Sequence, residues 1–136
     1  MREESSFNPG AVSGAGAWGL RQLMPPTGVW IAGILKRSDP ENANLFDPEL
    51  SIEAGSWYLR FLLERNEGSF VGALAAYNAG AARMSGWKSR FVPSEDPMTA
   101  IEMICIEETR EYVRRVLESM SAYRRYYPGG GRYACD

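Results

Sequence analysis

The sequence predicts an all-α, mostly helical fold. Apolar residues recur at helical spacing in several stretches, and no stretch has the period-two alternation of a half-buried strand. Prolines and glycines separate these stretches. The 136 residues have an ordinary soluble composition, since 45% are hydrophobic and 24% are charged. We therefore expect one compact domain over residues 1–127, and a flexible glycine-rich tail over 128–136.

Short helices and loops are expected in the first third of the chain. Residues 1–6 resemble the final turn of a helix, and the small residues 13–16 form a loop. A short helical piece is predicted from Trp18 to Met24, because Pro25 would stop it. The next helix begins at about Pro26 and runs to about Lys36.

The strongest helical patterns lie in the rest of the chain. A long amphipathic helix is predicted from about Pro48 to Asn66. An alanine-rich helix from Ser69 to Asn78 should end before Gly80. Helical pattern resumes near Met98, and the final helix is expected from about Glu107 to Tyr126.

Composition excludes several classes of function. A net charge of −2 gives no general surface for polyanions, so we expect no nucleic acid partner. The chain has no histidine, which excludes histidine-activated nucleophiles and histidine metal sites. Acid–base chemistry near neutral pH therefore falls to a carboxylate, Tyr, Lys or Cys. No apolar run is long enough to span a bilayer.

The two cysteines match no metal or redox spacing. Cys105 lies in an apolar stretch, which favours a buried free thiol. A disulfide between Cys105 and Cys135 is the alternative.

Three segments carry polar residues that have no evident structural purpose. The first contains Glu-Ser-Ser-Phe-Asn-Pro from Glu4, Ala-Val-Ser from Ala11 and Trp-Gly-Leu-Arg-Gln-Leu-Met-Pro from Trp18. The second reads Ala-Tyr-Asn-Ala-Gly from Ala76, and the third reads Glu-Thr-Arg-Glu-Tyr-Val from Glu108. These motifs follow one another in order over nearly the whole chain.

Together the motifs resemble those of the lytic transglycosylase catalytic domain, a relative of goose-type lysozyme. The resemblance implies a lysozyme-like fold and cleavage of the β-1,4 bond between N-acetylmuramic acid and N-acetylglucosamine in peptidoglycan. Most glycosidases use two carboxylates, whereas this family uses one glutamate. That glutamate protonates the leaving oxygen and then takes the proton of the sugar's own C6 hydroxyl, which closes a 1,6-anhydro ring.

The resemblance also implies roles for single residues. Glu4 matches the acid and base, and its pKa should be raised to about 6–7 by apolar surroundings. Its neighbour Glu3 is expected to be solvated. Substrate contacts are implied for Ser13, Gln22, Met24, Tyr77, Asn78, Glu108 and Tyr112. Structural roles remain open for some of these, as a turn residue for Ser13, a helix end for Asn78 and a dipole contact for Glu108.

Two features depart from the family pattern. Arg21 stands where the family usually has Met, so its charge must reach solvent or pair with a carboxylate. Only three residues precede Glu4, whereas the family's glutamate lies on a longer helix. A helix start would fray and would favour the ionised carboxylate. We therefore expect either lower activity than in a version that carries the upstream helix, or a second chain that fills the gap.

The resemblance implies peptidoglycan glycan strands as the partner, with neither cofactor nor metal. It implies the bacterial periplasm or cell envelope as the location, with a phage virion as the alternative, and a place within a longer protein. Two other functions remain open. One is a hydrolytic muramidase on the same fold, for which Asp47 is the second carboxylate to consider. The other is an inactive module that only binds peptidoglycan or assists assembly.

Overall fold

A computed structural model describes residues 1–86 and 96–127, and most of these residues are helical. Extended structure in the described residues is limited to two isolated bridges, so the all-α prediction is confirmed. The tail 128–136 and Cys135 lie outside the described residues. The helices are α1 (Arg2–Ser5), α2 (Pro25–Ile34), α3 (Pro48–Arg65), α4 (Phe70–Ala79), α5 (Ala81–Ser85), α6 (Pro97–Glu102) and α7 (Glu107–Tyr126).

The chain divides into two compact units, Met1–Gly68 and Ser69–Asp136. The first unit contains α1, α2, α3 and a 3-10 helix, Pro40–Asn42. The second contains α4 to α7. The expectation of one domain over residues 1–127 stays a prediction. Among the described residues, no helix combines the length and the apolarity that crossing a membrane requires.

In the first unit, α3 begins where proline and an acidic cap coincide. Asp47 accepts hydrogen bonds from the backbone N–H groups of Glu49 and Leu50, at 3.3 and 3.4 Å. Pro48 occupies the first helical position, where its missing N–H costs nothing. The predicted helix from Pro48 to Asn66 is confirmed, since the observed α3 ends one residue earlier, at Arg65.

The predicted helix from Trp18 to Met24 is wrong. Trp18 instead forms bridges with Val12 and with Leu23. Its N–H donates to the Leu23 carbonyl at 2.9 Å, and the Leu23 N–H returns a bond of 3.2 Å. The backbone is left-handed at Gly19 (φ +75°) and at Gln22 (φ +49°). A right-handed helix cannot continue through either conformation, so the segment folds as a tight double turn.

Aromatic side chains pack beside this turn and between α2 and α3. Trp18 stacks on Phe46, with ring centroids 5.2 Å apart. Trp30 of α2 meets the rings of Trp57 and Phe61 of α3 edge-on, at 5.4 and 5.3 Å. The buried apolar residues of this unit are Leu20, Leu23, Ile31, Ala32, Leu45, Leu50, Ala54 and Leu62.

In the second unit, α4 is buried along most of its length. Its N-cap, Ser69, accepts a hydrogen bond from the Gly72 N–H at 3.1 Å. The helix ends before Gly80, whose φ of +92° is incompatible with a right-handed helix. A further short helix, α5, follows it and was not predicted from the sequence. The buried apolar residues of this unit are Val71, Ala73, Leu74, Ala75, Ala76, Met84, Ala100, Ile101, Ile104, Tyr112 and Val113.

The expectation of a buried thiol at Cys105 is wrong, because Cys105 is exposed. It lies between α6 and α7, in a short connection where Ile104 is fully buried. The apolar sequence around Cys105 therefore reflects the burial of Ile104 and not burial of the cysteine.

Two glycines of the first unit provide a matched test of packing. A Cβ at Gly19 would lie 1.9 Å from the Leu45 carbonyl oxygen, whereas a Cβ at Gly16 (φ +85°) would meet nothing within 4 Å. We expect Gly16→Ala to lower the free energy of unfolding by about 1–2 kcal/mol, through backbone strain alone. Gly19→Ala should cost clearly more, because the Leu45 backbone must also move. Urea unfolding of both variants checks this, and equal losses would contradict it.

Candidate active site

Glu4 lies on the single turn of α1 and is half-buried. The neighbouring Ser5 hydroxyl donates to the Leu20 carbonyl at 3.0 Å. Because Leu20 is buried in the double turn, this bond ties the glutamate's helix to the segment that precedes α2. The structure corrects the expectation for Glu3, whose side chain is 17% exposed and lies 3.7 Å from the Arg2 guanidinium.

Arg21, which departs from the family pattern, lies against α3. Its guanidinium donates to the Gly55 carbonyl at 3.3 Å, and its backbone N–H donates to the buried Ser51 hydroxyl at 3.2 Å. A Cβ at Gly55 would come within 2.6 Å of the Arg21 side chain. The glycine in α3 thus provides the space that Arg21 needs.

Gln22 uses both hydrogens of its amide within the fold. Its Nε2 donates to the carbonyls of Ala11 and Gly19, at 3.1 and 2.9 Å. These two bonds hold the residue in its left-handed conformation. The oxygen Oε1 is an acceptor only, so Gln22 can accept a hydrogen bond from a hydroxyl but cannot donate one without unfolding the turn.

Ser13 and Met24 lie at the two ends of the same segment. The Ser13 hydroxyl accepts a hydrogen bond from the Ala17 N–H at 2.9 Å, and the backbone N–H of Ser13 donates to the Ala17 carbonyl at 2.9 Å. The turn role expected for Ser13 is therefore present, with the hydroxyl hydrogen left as a donor. Met24 immediately precedes α2 and is 44% exposed.

The second unit carries the other four candidates. Tyr77 is half-buried and Asn78 exposed in the last turn of α4. Glu108 is exposed in the first turn of α7, where a carboxylate also favours the helix dipole. Tyr112 is only 5% exposed, so most of its side chain serves packing.

A buried threonine links these two helices. The Thr109 hydroxyl donates to Asn78 Oδ1 at 2.9 Å, and Thr109 is 2% exposed. Sequence reasoning singled out neither Thr109 in this unit nor Ser5 in the first unit. Each stands next to a predicted site residue, and that adjacency was the available signal.

Comparison with known proteins identifies the family. The family model described as the transglycosylase SLT domain matches residues 1–97. The chain belongs to this family. The soluble lytic murein transglycosylase of Escherichia coli K12 is 37% identical over 131 residues, which cover 94% of this chain and 20% of that protein. The membrane-bound lytic murein transglycosylase C of Serratia proteamaculans is 31% identical over 152 residues, covering 92% of this chain and 40% of that protein.

Solved structures of the family share the fold. The 70 kDa soluble lytic transglycosylase from Escherichia coli superposes with a TM-score of 0.78 at 34% identity, over 92% of this chain and 20% of that one. An inactive variant of Slt from Pseudomonas aeruginosa, in which one glutamate is replaced by glutamine, gives a TM-score of 0.77 at 34% identity, with the same coverage of 92% and 20%. The expected lysozyme-like lytic transglycosylase fold is therefore confirmed. The chain spans 20% of the length of these soluble relatives.

The two hydrogen bonds of Gln22 lead to a stability prediction. Gln22→Glu places a carboxylate against the Ala11 and Gly19 carbonyls, and we expect it to lower the free energy of unfolding by about 2–3 kcal/mol near pH 7. Repulsion raises the folded-state pKa of the new carboxyl above its unfolded value. Part of the loss should therefore return near pH 4, where a protonated carboxyl again donates a bond.

Gln22→Met is the control for this prediction, because it removes both bonds without adding a charge. Its loss relative to the wild type should be the same at both pH values. Urea unfolding at each pH provides the measurement, and a pH-independent loss for Gln22→Glu would contradict the assigned bonds.

Proposed function

We propose that this chain is the catalytic domain of a peptidoglycan lytic transglycosylase. It cleaves the β-1,4 bond between N-acetylmuramic acid and N-acetylglucosamine and leaves a 1,6-anhydromuramic acid end. One observation carries the proposal: the family match over residues 1–97 includes Glu4, a half-buried residue whose helix Ser5 ties to Leu20. Partial burial suits a group that must be neutral at one step and ionised at the next.

In the proposed reaction Glu4 acts twice. Its carboxyl first donates a proton to the glycosidic oxygen, and the bond from that oxygen to the anomeric carbon breaks. The resulting carboxylate then accepts the proton of the C6 hydroxyl, and that oxygen bonds to the anomeric carbon. The proton count balances and no water is consumed. The inactive glutamine variant of the Pseudomonas relative supports a requirement for a glutamate carboxyl.

The hydrogen-bonding capacity that folding leaves unused supports the proposed substrate contacts. Gln22 retains an acceptor, which suits a sugar hydroxyl. Asn78 retains its amide hydrogens, which suit the carbonyl of an acetamido group. Further contacts are proposed for Ser13, Met24, Tyr77, Glu108 and the accessible edge of Tyr112.

Asp47 favours transglycosylation over hydrolysis. A hydrolytic muramidase needs a second group to activate water. Each oxygen of Asp47 instead accepts an N–H group at the start of α3, from Glu49 and from Leu50, so helix capping accounts for this carboxylate. The carboxylate that was the candidate for this second role therefore serves as a helix cap.

The relatives also support a location. They are bacterial murein transglycosylases, some described as soluble and some as membrane-bound. We accordingly propose that the chain acts on glycan strands in the periplasm or cell envelope, as part of a longer protein.

Glu4→Gln tests the assignment of the acid. We expect it to reduce the release of anhydromuropeptides from purified sacculi by a factor of about a thousand or more, because the amide can neither give nor take the proton. Glu3→Gln is the matched control on the same turn and should stay within about twofold of the wild type. Mass spectrometry of the products provides the measurement.

Each of the other outcomes points to a different function. Persisting lysis in Glu4→Gln would refute the assigned acid. Reducing ends in place of anhydro ends would identify a hydrolase. Sacculus binding without any lysis by the wild type would identify a binding module.

Asp47→Asn separates capping from catalysis. Asparagine caps helices about as well as aspartate, so both the fold and the yield of anhydro products should be unchanged. Asp47→Ala should lower the free energy of unfolding by about 1 kcal/mol. If Asp47→Asn unfolds normally but loses activity by about a hundredfold or more, a second catalytic carboxylate is present and the transglycosylase mechanism fails.

A further inference from the structure

Asn78 and Thr109 form a pair with unequal exposure. Asn78 is exposed on the last turn of α4, whereas Thr109 is 2% exposed on the first turn of α7. The Thr109 hydroxyl donates to Asn78 Oδ1 at 2.9 Å. A buried side chain thus makes a direct polar contact with one that faces solvent.

The burial of Thr109 protects this hydrogen bond from competition by water. Water cannot readily replace Asn78 as the acceptor, because Thr109 is almost completely enclosed. Threonine in a helix has two favoured side-chain torsions, and in the observed one the hydroxyl contacts Asn78. The buried Thr109 hydroxyl therefore restrains the exposed Asn78 amide.

An unrestrained asparagine can present either end of its amide. The oxygen and the nitrogen have nearly the same shape, and a half-turn of the amide exchanges an acceptor for a donor. In this structure the bond from Thr109 occupies the oxygen of Asn78. With the oxygen directed to Thr109, the NH2 group lies at the opposite end of the amide, where it can donate to a ligand.

We propose that Thr109 is a positioning residue that orients the Asn78 amide as a hydrogen-bond donor to the acetamido carbonyl of the glycan. This proposal rests on the proposed function. It extends the site to a residue that touches no substrate, since Thr109 acts through Asn78. It also gives the threonine of the Glu-Thr-Arg motif a purpose separate from the formation of α7.

A kinetic cycle tests the link between the two residues. The variants are Thr109→Val, which keeps the shape but removes the hydroxyl, Thr109→Ser, which keeps the hydroxyl, and Asn78→Ala. The substrate is soluble, uncrosslinked glycan strands. We expect Thr109→Val to raise KM about tenfold with kcat close to the wild-type value, because a contact made in both ground and transition states is weakened. Thr109→Ser should restore KM to within about twofold of wild type.

The double variant decides whether Thr109 acts through Asn78. In the Asn78→Ala background, Thr109→Val should have no further effect on kcat/KM. Ile101→Val, a packing change in α6 of the same unit, controls for general loss of stability and should leave KM unchanged. Additive effects of Thr109→Val and Asn78→Ala would overturn the proposal, as would an equal rise of KM in Ile101→Val.

A second measurement does not depend on catalysis. The side-chain NH2 group of Asn78 gives two resonances in a nitrogen–proton correlation spectrum, and Asn78→Ala assigns them by their loss. Thr109→Val should shift these resonances and lower their order parameter, whereas Thr109→Ser should not. Unchanged resonances in Thr109→Val would overturn the proposal whatever the activity.

This pair of measurements separates the two proposals. If the wild type cleaves no glycan, the proposed function fails, and the same cycle is measured as affinity for the glycan strands. Coupled losses of affinity would support the role of Thr109, and additive losses would overturn it.

Discussion

The first unit depends on the two hydrogen bonds that Gln22 donates to the carbonyls of Ala11 and Gly19. These bonds hold a left-handed residue in place, and so allow the chain to turn twice before α2 begins. The same double turn buries Leu20, whose carbonyl receives the Ser5 hydroxyl of α1. The placement of Glu4 therefore depends on the Gln22 amide, which donates hydrogen bonds to two backbone carbonyls.

Folding and recognition share the polar groups of this domain. Gln22 gives its hydrogens to the turn and keeps an acceptor, whereas Asn78 gives its oxygen to Thr109 and keeps its hydrogens. Both oxygens of Asp47 accept N–H groups at the start of α3, so this carboxylate serves as a helix cap. An acceptor such as Gln22 Oε1 suits a hydroxyl, and a donor such as the Asn78 NH2 group suits an amide carbonyl. The proposed mechanism needs one carboxyl, that of Glu4. Asp47, the other carboxylate considered, has a structural role as the N-cap of α3.

Periodic elements were predictable, and the irregular segment that holds Gln22 was not. The sequence predicted the bounds of α7 correctly, because its amphipathic pattern runs without interruption from Glu107 to Tyr126. The stretch from Trp18 to Met24 has helical composition, yet it forms bridges, because positive φ at a glutamine leaves no mark on composition. The motifs located the candidate residues. They could not predict which atoms of those residues form hydrogen bonds within the protein, since that depends on contacts such as the one between Thr109 and Asn78.

The close approach of Arg21 to Gly55 links two positions that are distant in the sequence. Any side chain beyond hydrogen at position 55 would occupy space now filled by the arginine, whose guanidinium also bonds to the carbonyl of that glycine. A chain with methionine in place of Arg21 would lack that bond and would leave room for a bulkier residue at position 55. The two positions should therefore change together during divergence, and exchange of either residue alone between family members should produce a mismatched pair.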